Sequence, residues 1–205
     1  MPVKPWFPTY IYQSPLQRKG SADFARTLLE VCQKIRADDE AGQLWCRENY
    51  PGGYTSYGTQ RNLQRTQPAF IDLERKIWRH VQRFASRLDT DLREASLAMT
   101  DCWVNMMSRD TVHKLHLHPG AVFSGTLYLS TPEGCSGIRF EDPRFEKFAN
   151  VPPRRPDCRP TNSQWTSYDV EPGKLILFES WLRHEVVSNP TLDERVSVSF
   201  NYTWI

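Results

Sequence analysis

Four of the five histidines fall in two places, His113, His116 and His118 in one cluster and His184 far downstream. His116 and His118 stand at i and i+2. On a strand that spacing turns both imidazoles to one face, where they can meet at a single ion. A third donor is still required, and His184 is the candidate, because it follows the apolar run Leu175-Ile176-Leu177-Phe178 and opens a new strand-like segment. Three neutral imidazoles suit iron, copper, nickel or zinc and leave positions open for substrate and oxygen. Beyond His184 comes Arg195, with Ser197 on the same face of a strand. A planar guanidinium donates two parallel charge-assisted hydrogen bonds to a carboxylate, and a neighbouring hydroxyl can donate a third. The pair reads as a carboxylate receptor. The competing reading is a surface ion pair with Asp193 or Glu194, which the apolar neighbours Val196, Val198 and Phe200 disfavour. His80 and His113 read as ordinary hydrogen-bonding residues.

Such side chains need a scaffold that gathers distant stretches of chain. From Leu97 onward, segments 97–107, 122–130, 137–141, 164–170, 174–178, 184–188 and 195–204 are rich in β-branched and aromatic residues and read as strands. Glu171-Pro172-Gly173-Lys174 carries the signature of a type II turn, so its flanking segments are expected to form a hairpin. Two helices precede the strands. Ser21 is the expected cap of one that buries Phe24, Leu28, Val31 and Ile35; Pro68 opens the other, with Phe70, Leu73, Ile77, Val81, Phe84 and Leu88 at helical spacing. The expected class is mainly β with flanking helices (α+β). One domain should span 1–205, with 1–96 as mainly helical support and 97–205 as a jelly-roll core. The Tyr/Gly-rich stretch 50–58 and the proline-rich stretch 142–163 are the irregular segments, and either could be packed loop or substrate-facing.

Composition narrows the partners. A formal charge of +2 without a long Lys/Arg block calls for neither nucleic acid nor an anionic membrane. A small-molecule or peptide substrate is expected, and a homodimer is left open. Five scattered cysteines without a Cys-x-x-Cys pair argue against a disulfide scaffold or a structural zinc site. With no signal-like or membrane-length apolar run, the expected location is cytoplasmic.

Several ordered blocks then carry a resemblance. They are His116-Leu117-His118-Pro119-Gly120, Ser124-Gly125-Thr126-Leu127-Tyr128-Leu129, Phe140-Glu141-Asp142-Pro143-Arg144, the run from Pro172 to His184, and Glu194-Arg195-Val196-Ser197-Val198-Ser199-Phe200-Asn201. Together they resemble the 2-oxoglutarate- and iron(II)-dependent oxygenases of bacteria and phages over about the last half of the chain. The resemblance implies a double-stranded β-helix and a catalytic set of His116, His118, His184 and Arg195. The three histidines would hold Fe(II), and Arg195 and Ser197 would bind 2-oxoglutarate as cosubstrate. It also implies a cosubstrate contact for Tyr128 and a further polar contact for Asn105. The implied reaction is a hydroxylation coupled to conversion of 2-oxoglutarate to succinate and carbon dioxide.

One departure stands out. The wider superfamily has a carboxylate where this chain has His118, so either three imidazoles form the site or another oxygen donor completes it, with Glu141, Asp142 and Glu185 nearest in sequence. Two other readings follow: a three-histidine cupin-like enzyme that does not use 2-oxoglutarate, and a noncatalytic metal-binding jelly-roll module. Trp103, Phe123, Phe178 and Trp181 are the candidate walls of the site.

Overall fold

A computed structural model describes residues 3–92, 96–144 and 150–205. Among the described residues, ten strands form two antiparallel sheets. The larger has the order β1-β8-β5-β10-β3-β2, built from β1 (Ile11–Pro15), β2 (Gly53–Thr55), β3 (Leu97–Met107), β5 (Phe123–Ser130), β8 (Lys174–Glu179) and β10 (Arg195–Trp204). The smaller has the order β4-β9-β6-β7, from β4 (His113–His116), β6 (Ile138–Glu141), β7 (Trp165–Ser167) and β9 (His184–Val186). From β3 to β10 the chain crosses between the sheets at every step except β6 to β7, which is the double-stranded β-helix arrangement. The helices are α1 (Ser21–Asp38), α2 (Glu40–Asn49), α3 (Leu63–Thr66) and α4 (Pro68–Arg87).

The alternation along β10 explains the layering. Val196, Val198, Phe200 and Tyr202 are buried, and Trp78 of α4 stacks on Tyr202 with ring centroids 6.1 Å apart. The intervening Arg195, Ser197 and Ser199 line the cavity between the sheets. Because successive side chains alternate across a sheet, the strand that packs on the helices necessarily sends polar groups inward. On β5 the division repeats: Phe123 meets Phe84 of α4 at 5.2 Å, whereas Thr126 and Tyr128 line the cavity. Helix α4 keeps the expected stripe, with Phe70, Leu73, Ile77, Val81 and Phe84 almost fully buried. His80 clamps it to the sheet, one ring nitrogen 2.7 Å from the Tyr12 hydroxyl and the other 2.8 Å from the Leu16 carbonyl.

Three local expectations change. Ser21 does not cap α1: Gly20, at φ 69°, holds the N-cap position, and the Ser21 hydroxyl donates to the Gly173 carbonyl at 2.8 Å. The turn at Glu171–Lys174 forms, with Gly173 at φ 82° and Lys174 N–H donating to Glu171 O at 3.1 Å. It does not make a hairpin, since β7 pairs with β6 in the small sheet and β8 with β1 and β5 in the large one. The turn is a crossing between sheets. The region before Leu97 also supplies β1 and β2, the two outer strands of the large sheet.

Gly125 of β5 sits between the neighbouring strands β8 and β10. A Cβ there would lie 2.5 Å from the Phe200 ring, 2.6 Å from Leu177 Cδ2 and 2.7 Å from the Ile176 carbonyl. Gly125→Ala is therefore expected to lower stability by about 1–3 kcal/mol through overpacking. A denaturant midpoint unchanged from that of the parent chain would contradict this packing.

Candidate active site

Pairing of β4 with β9 sets His116 directly opposite His184, with ring centroids 4.3 Å apart. Nδ1 of His116 lies 2.6 Å from the Lys114 carbonyl, and Nδ1 of His184 lies 2.9 Å from the Leu182 carbonyl. A carbonyl only accepts, so we assign the ring protons to Nδ1, which leaves both Nε2 atoms as lone-pair donors to a metal. His118 arrives differently from the expected two-residue strand repeat. Strand β4 ends at His116, and His118 lies beyond it, its N–H donating to the Ser180 carbonyl at 3.0 Å in the turn between β8 and β9. The following Pro119 and Gly120, the latter at φ 84°, turn the chain out of the ladder. Nε2 of His118 nonetheless comes 3.3 Å from Nε2 of His184, and one donor atom from each of the three rings lies within 4.8 Å of the others. Two nitrogens bound at about 2.1 Å, at angles of roughly 90–110°, would stand about 3.0–3.4 Å apart, so the donor set fits one transition-metal ion.

No carboxylate joins this cluster among the described residues. Glu141 pairs with Arg183 at 3.2 Å, Asp142 with Arg144 at 3.1 Å, and Glu185 with Arg139. His113 stacks on His116 with centroids 4.8 Å apart and stands outside the cluster. Burial is the main cause that lowers the pKa of His184 to about 2, His118 to about 4 and His113 to about 3, with the neighbouring histidines adding to it. Neutral imidazole is the form a metal requires.

Behind the histidines lies a second, more unusual group. Arg195 is 3% exposed, yet no carboxylate pairs with it among the described residues. Glu194, its sequence neighbour, turns away to accept from Arg36 at 2.7 and 2.8 Å. The guanidinium touches Met107 Sδ at 3.3 Å and lies 4.9 Å from the centroid of the Tyr128 ring, and its Nε has no hydrogen-bond partner. The Tyr128 hydroxyl and Asn105 Oδ1 are likewise buried and unpartnered, although Asn105 Nδ2 donates to Ser199 Oγ at 3.0 Å. Register explains the gathering: Ser197 pairs with Asn105 on one side and with Tyr128 on the other, one step from Arg195. Several orphaned buried polar atoms around one charge mark a place for a polar ligand.

Outside the histidines opens a cleft of about 1020 Å³, walled by Trp45, Tyr57 and Trp103, with Asp101, His116 and His118 on its inner side. Trp103 and Phe178 line the site as expected. Phe123 packs on α4 instead, and Trp181 is 46% exposed, so neither is a wall. Of the 50–58 stretch, Tyr54 turns inward to donate to Asp39 at 2.8 Å, whereas Tyr57 faces the cleft 4.9 Å from Trp103. Sequence reasoning missed Trp45 and Asp101, since neither belongs to a motif; helix α2, which carries Trp45, has a weak apolar pattern. Part of the proline-rich stretch, residues 145–149, lies outside the described residues.

Residues 101–201 match the family model described as "Putative 2OG-Fe(II) oxygenase", which supports that assignment for this part of the chain. No curated protein matches it in sequence. Among solved structures, it is similar to HygX from Streptomyces hygroscopicus with nickel, 2-oxoglutarate and hygromycin B bound, at 17% identity and TM-score 0.61, covering 95% of this chain and 83% of that one. A Pseudomonas putida prolyl-4-hydroxylase is 19% identical over 94% of this chain and 92% of its own, at TM-score 0.59. A collagen prolyl hydroxylase from Paramecium Bursaria Chlorella virus-1, in complex with 2OG, is 12% identical over 94% of each chain, at TM-score 0.56. These likenesses show the double-stranded β-helix fold.

Burial of the histidines makes the metal-free protein acid-sensitive. In the folded chain His184 stays neutral to about pH 2, against an ordinary value of 6.5 in the unfolded chain. Below the unfolded value the unfolded state takes up the extra proton, so stability falls with falling pH. Between pH 7 and pH 5 this ring alone should cost the apoprotein about 2 kcal/mol. The pH dependence of the denaturant midpoint checks this, and a midpoint that is flat over that interval would refute it.

Proposed function

We propose that the chain is an iron(II)- and 2-oxoglutarate-dependent hydroxylase in which His116, His118 and His184 hold the iron and Arg195 receives the distal carboxylate of the cosubstrate. The observation that carries the reading is the buried, counterion-free guanidinium of Arg195 set behind three converging imidazoles. A buried charge without a partner is costly, and a bound diacid supplies the missing anion. Tyr128 and Ser197 donate hydroxyls beside it, and Asn105 offers a further polar contact on the neighbouring strand. Iron held at the triad supplies the oxidising chemistry that couples oxygen and 2-oxoglutarate to hydroxylation of a C–H bond.

The protein's part is positioning. The Lys114 and Leu182 carbonyls hold His116 and His184 as the tautomers that bind through Nε2. Phe178, 4.6 Å from His184 between ring centroids, keeps the rings dry and fixed. Substrate enters through the cleft bounded by Trp45, Tyr57 and Trp103, and its reacting carbon reaches the metal past Trp103 and His118. The cleft's lining charges, Arg61 and Lys114 against Asp101 and Asp110, balance, which favours a substrate of little net charge. HygX is solved with hygromycin B and the prolyl hydroxylases act on proline, a range that keeps both small molecules and peptides as candidates. No described helix is long and apolar enough to cross a membrane, and all five cysteines are free thiols, which supports a reducing, cytoplasmic setting.

Anaerobic titration of the iron(II)-loaded protein with 2-oxoglutarate tests the reading. A weak visible charge-transfer band should develop and saturate. Arg195→Ala should weaken 2-oxoglutarate binding by about 100-fold or more while iron stays bound. His118→Ala should abolish stoichiometric iron. A metal-loaded protein that gives no band and forms no succinate would instead favour the three-histidine enzyme that does not use 2-oxoglutarate.

A further inference from the structure

We infer that Tyr50, which precedes the family-matched residues, is a second anchor for the distal carboxylate, donating its phenolic hydroxyl beside Arg195. The inference rests on the cosubstrate reading above.

Strand register puts the two groups in one row. Gly53 of β2 pairs with Met107 of β3, and Met107 pairs with Arg195 of β10. Residues directly opposite one another across a sheet send their side chains to the same face. Arg195 reaches along this row to touch Met107 Sδ. From the other end comes the ring of Tyr50, which occupies the space a side chain at position 53 would fill: a Cβ on Gly53 would lie 2.4 Å from Tyr50 Cε1. The turn that folds the ring back is built for it, with Gly52 at φ 78° and Gly53 N–H donating to the Tyr50 carbonyl at 3.0 Å. His113 meets Tyr50 edge-on at 5.6 Å and stacks on His116, so the phenol stands in ring contact with the wall of the metal site.

Chemistry points the same way. Tyr50 is 9% exposed, and its hydroxyl is buried without a partner, as are the Tyr128 hydroxyl and Arg195 Nε. All three can donate. A carboxylate offers about four lone-pair sites and no proton, which is the complement such a set requires. Burial raises the Tyr50 pKa and Arg195 opposes it only in part, so the phenol keeps its proton at neutral pH. A water could satisfy one such donor; two hydroxyls beside a buried cation that no described carboxylate pairs with call for an anion.

The test compares Tyr50→Phe with the parent chain. This substitution keeps the ring that packs on Gly53 and His113 and removes only the hydroxyl. Each protein, loaded anaerobically with iron(II), is titrated with 2-oxoglutarate and with 2-oxobutanoate, which keeps the chelating end but lacks the distal carboxylate. The dissociation constants are read from the visible band and by calorimetry. Tyr50→Phe should weaken 2-oxoglutarate about tenfold and leave 2-oxobutanoate unchanged. Gly53→Ala, which displaces the ring, should weaken 2-oxoglutarate in the same direction. Equal loss for both ligands would assign the hydroxyl a merely structural part and overturn the inference, as would unchanged 2-oxoglutarate affinity; the cosubstrate reading survives either result. If the parent chain itself binds no 2-oxoglutarate, that reading falls and this inference with it.

Discussion

The structure is organised around a buried positive charge, Arg195, that no carboxylate among the described residues pairs with. A guanidinium taken out of water without a counterion costs several kcal/mol, and folded chains ordinarily avoid it. Here Arg195 stands on β10, between β3 and β5 in the large sheet, and cannot withdraw. The residues that alternate with it, Val196, Val198 and Phe200, are fully or almost fully buried, and the burial of each contributes about 1.5–3 kcal/mol. A shift of β10 by one residue would free the charge and expose the core, so the core enforces the binding site. An anion brought into the pocket would relieve that cost, which is the physical basis of the proposed diacid site.

The metal site obeys a related electrostatic logic. Two neutral imidazoles and a carboxylate around a divalent ion leave a charge of +1 before the cosubstrate binds; three neutral imidazoles leave +2. The chelating end of an oxo acid brings one negative charge, so the three-histidine site stays positive where a carboxylate-containing one becomes neutral. Asp101 lies on the open side, in the cleft that His118 shares, and its negative charge acts on His118 against the effect of burial. A carboxylate there would offset part of the excess without occupying a coordination position.

What could be read from the chain beforehand followed from periodicity. The bounds of β3 and β10 are those expected from their β-branched and aromatic residues, and β10 also alternates apolar with polar residues along most of its length. Helix α4 was equally legible from its stripe. Gathering His116, His118 and His184 needed only their types and spacing, although the route was misjudged: His118 is placed by a hydrogen bond to Ser180, a contact between segments that no local pattern announces. Turn chemistry at Gly173 identified the turn but not its destination, since proline and glycine specify backbone angles and say nothing about which sheet receives the next strand. Helix α2, β1 and β2 left little trace because they are short and their partners are remote.

That remote part of the chain deserves more weight than its weak signal suggests. One carboxylate, Asp39, holds it together: it accepts from Gly42 N–H at 3.0 Å, from the Tyr54 hydroxyl at 2.8 Å and from the Thr59 hydroxyl at 2.6 Å. Burial works against its ionisation, but the hydrogen bonds from Thr59, Tyr54 and Gly42 outweigh it and hold the acid below its usual value. The first bond caps α2, which carries Trp45; the other two pin the stretch on either side of Tyr57. Two of the three aromatic walls of the cleft, Trp45 and Tyr57, therefore hang from a group that takes no part in the chemistry. Strand faces are rigid, and His116, His184 and Arg195 stand on them. The outer part of the cleft is instead carried by a loop and a helix tied by a single buried acid. That division would let the cleft be reshaped by changes near Asp39 without disturbing the strands that carry His116, His184 and Arg195.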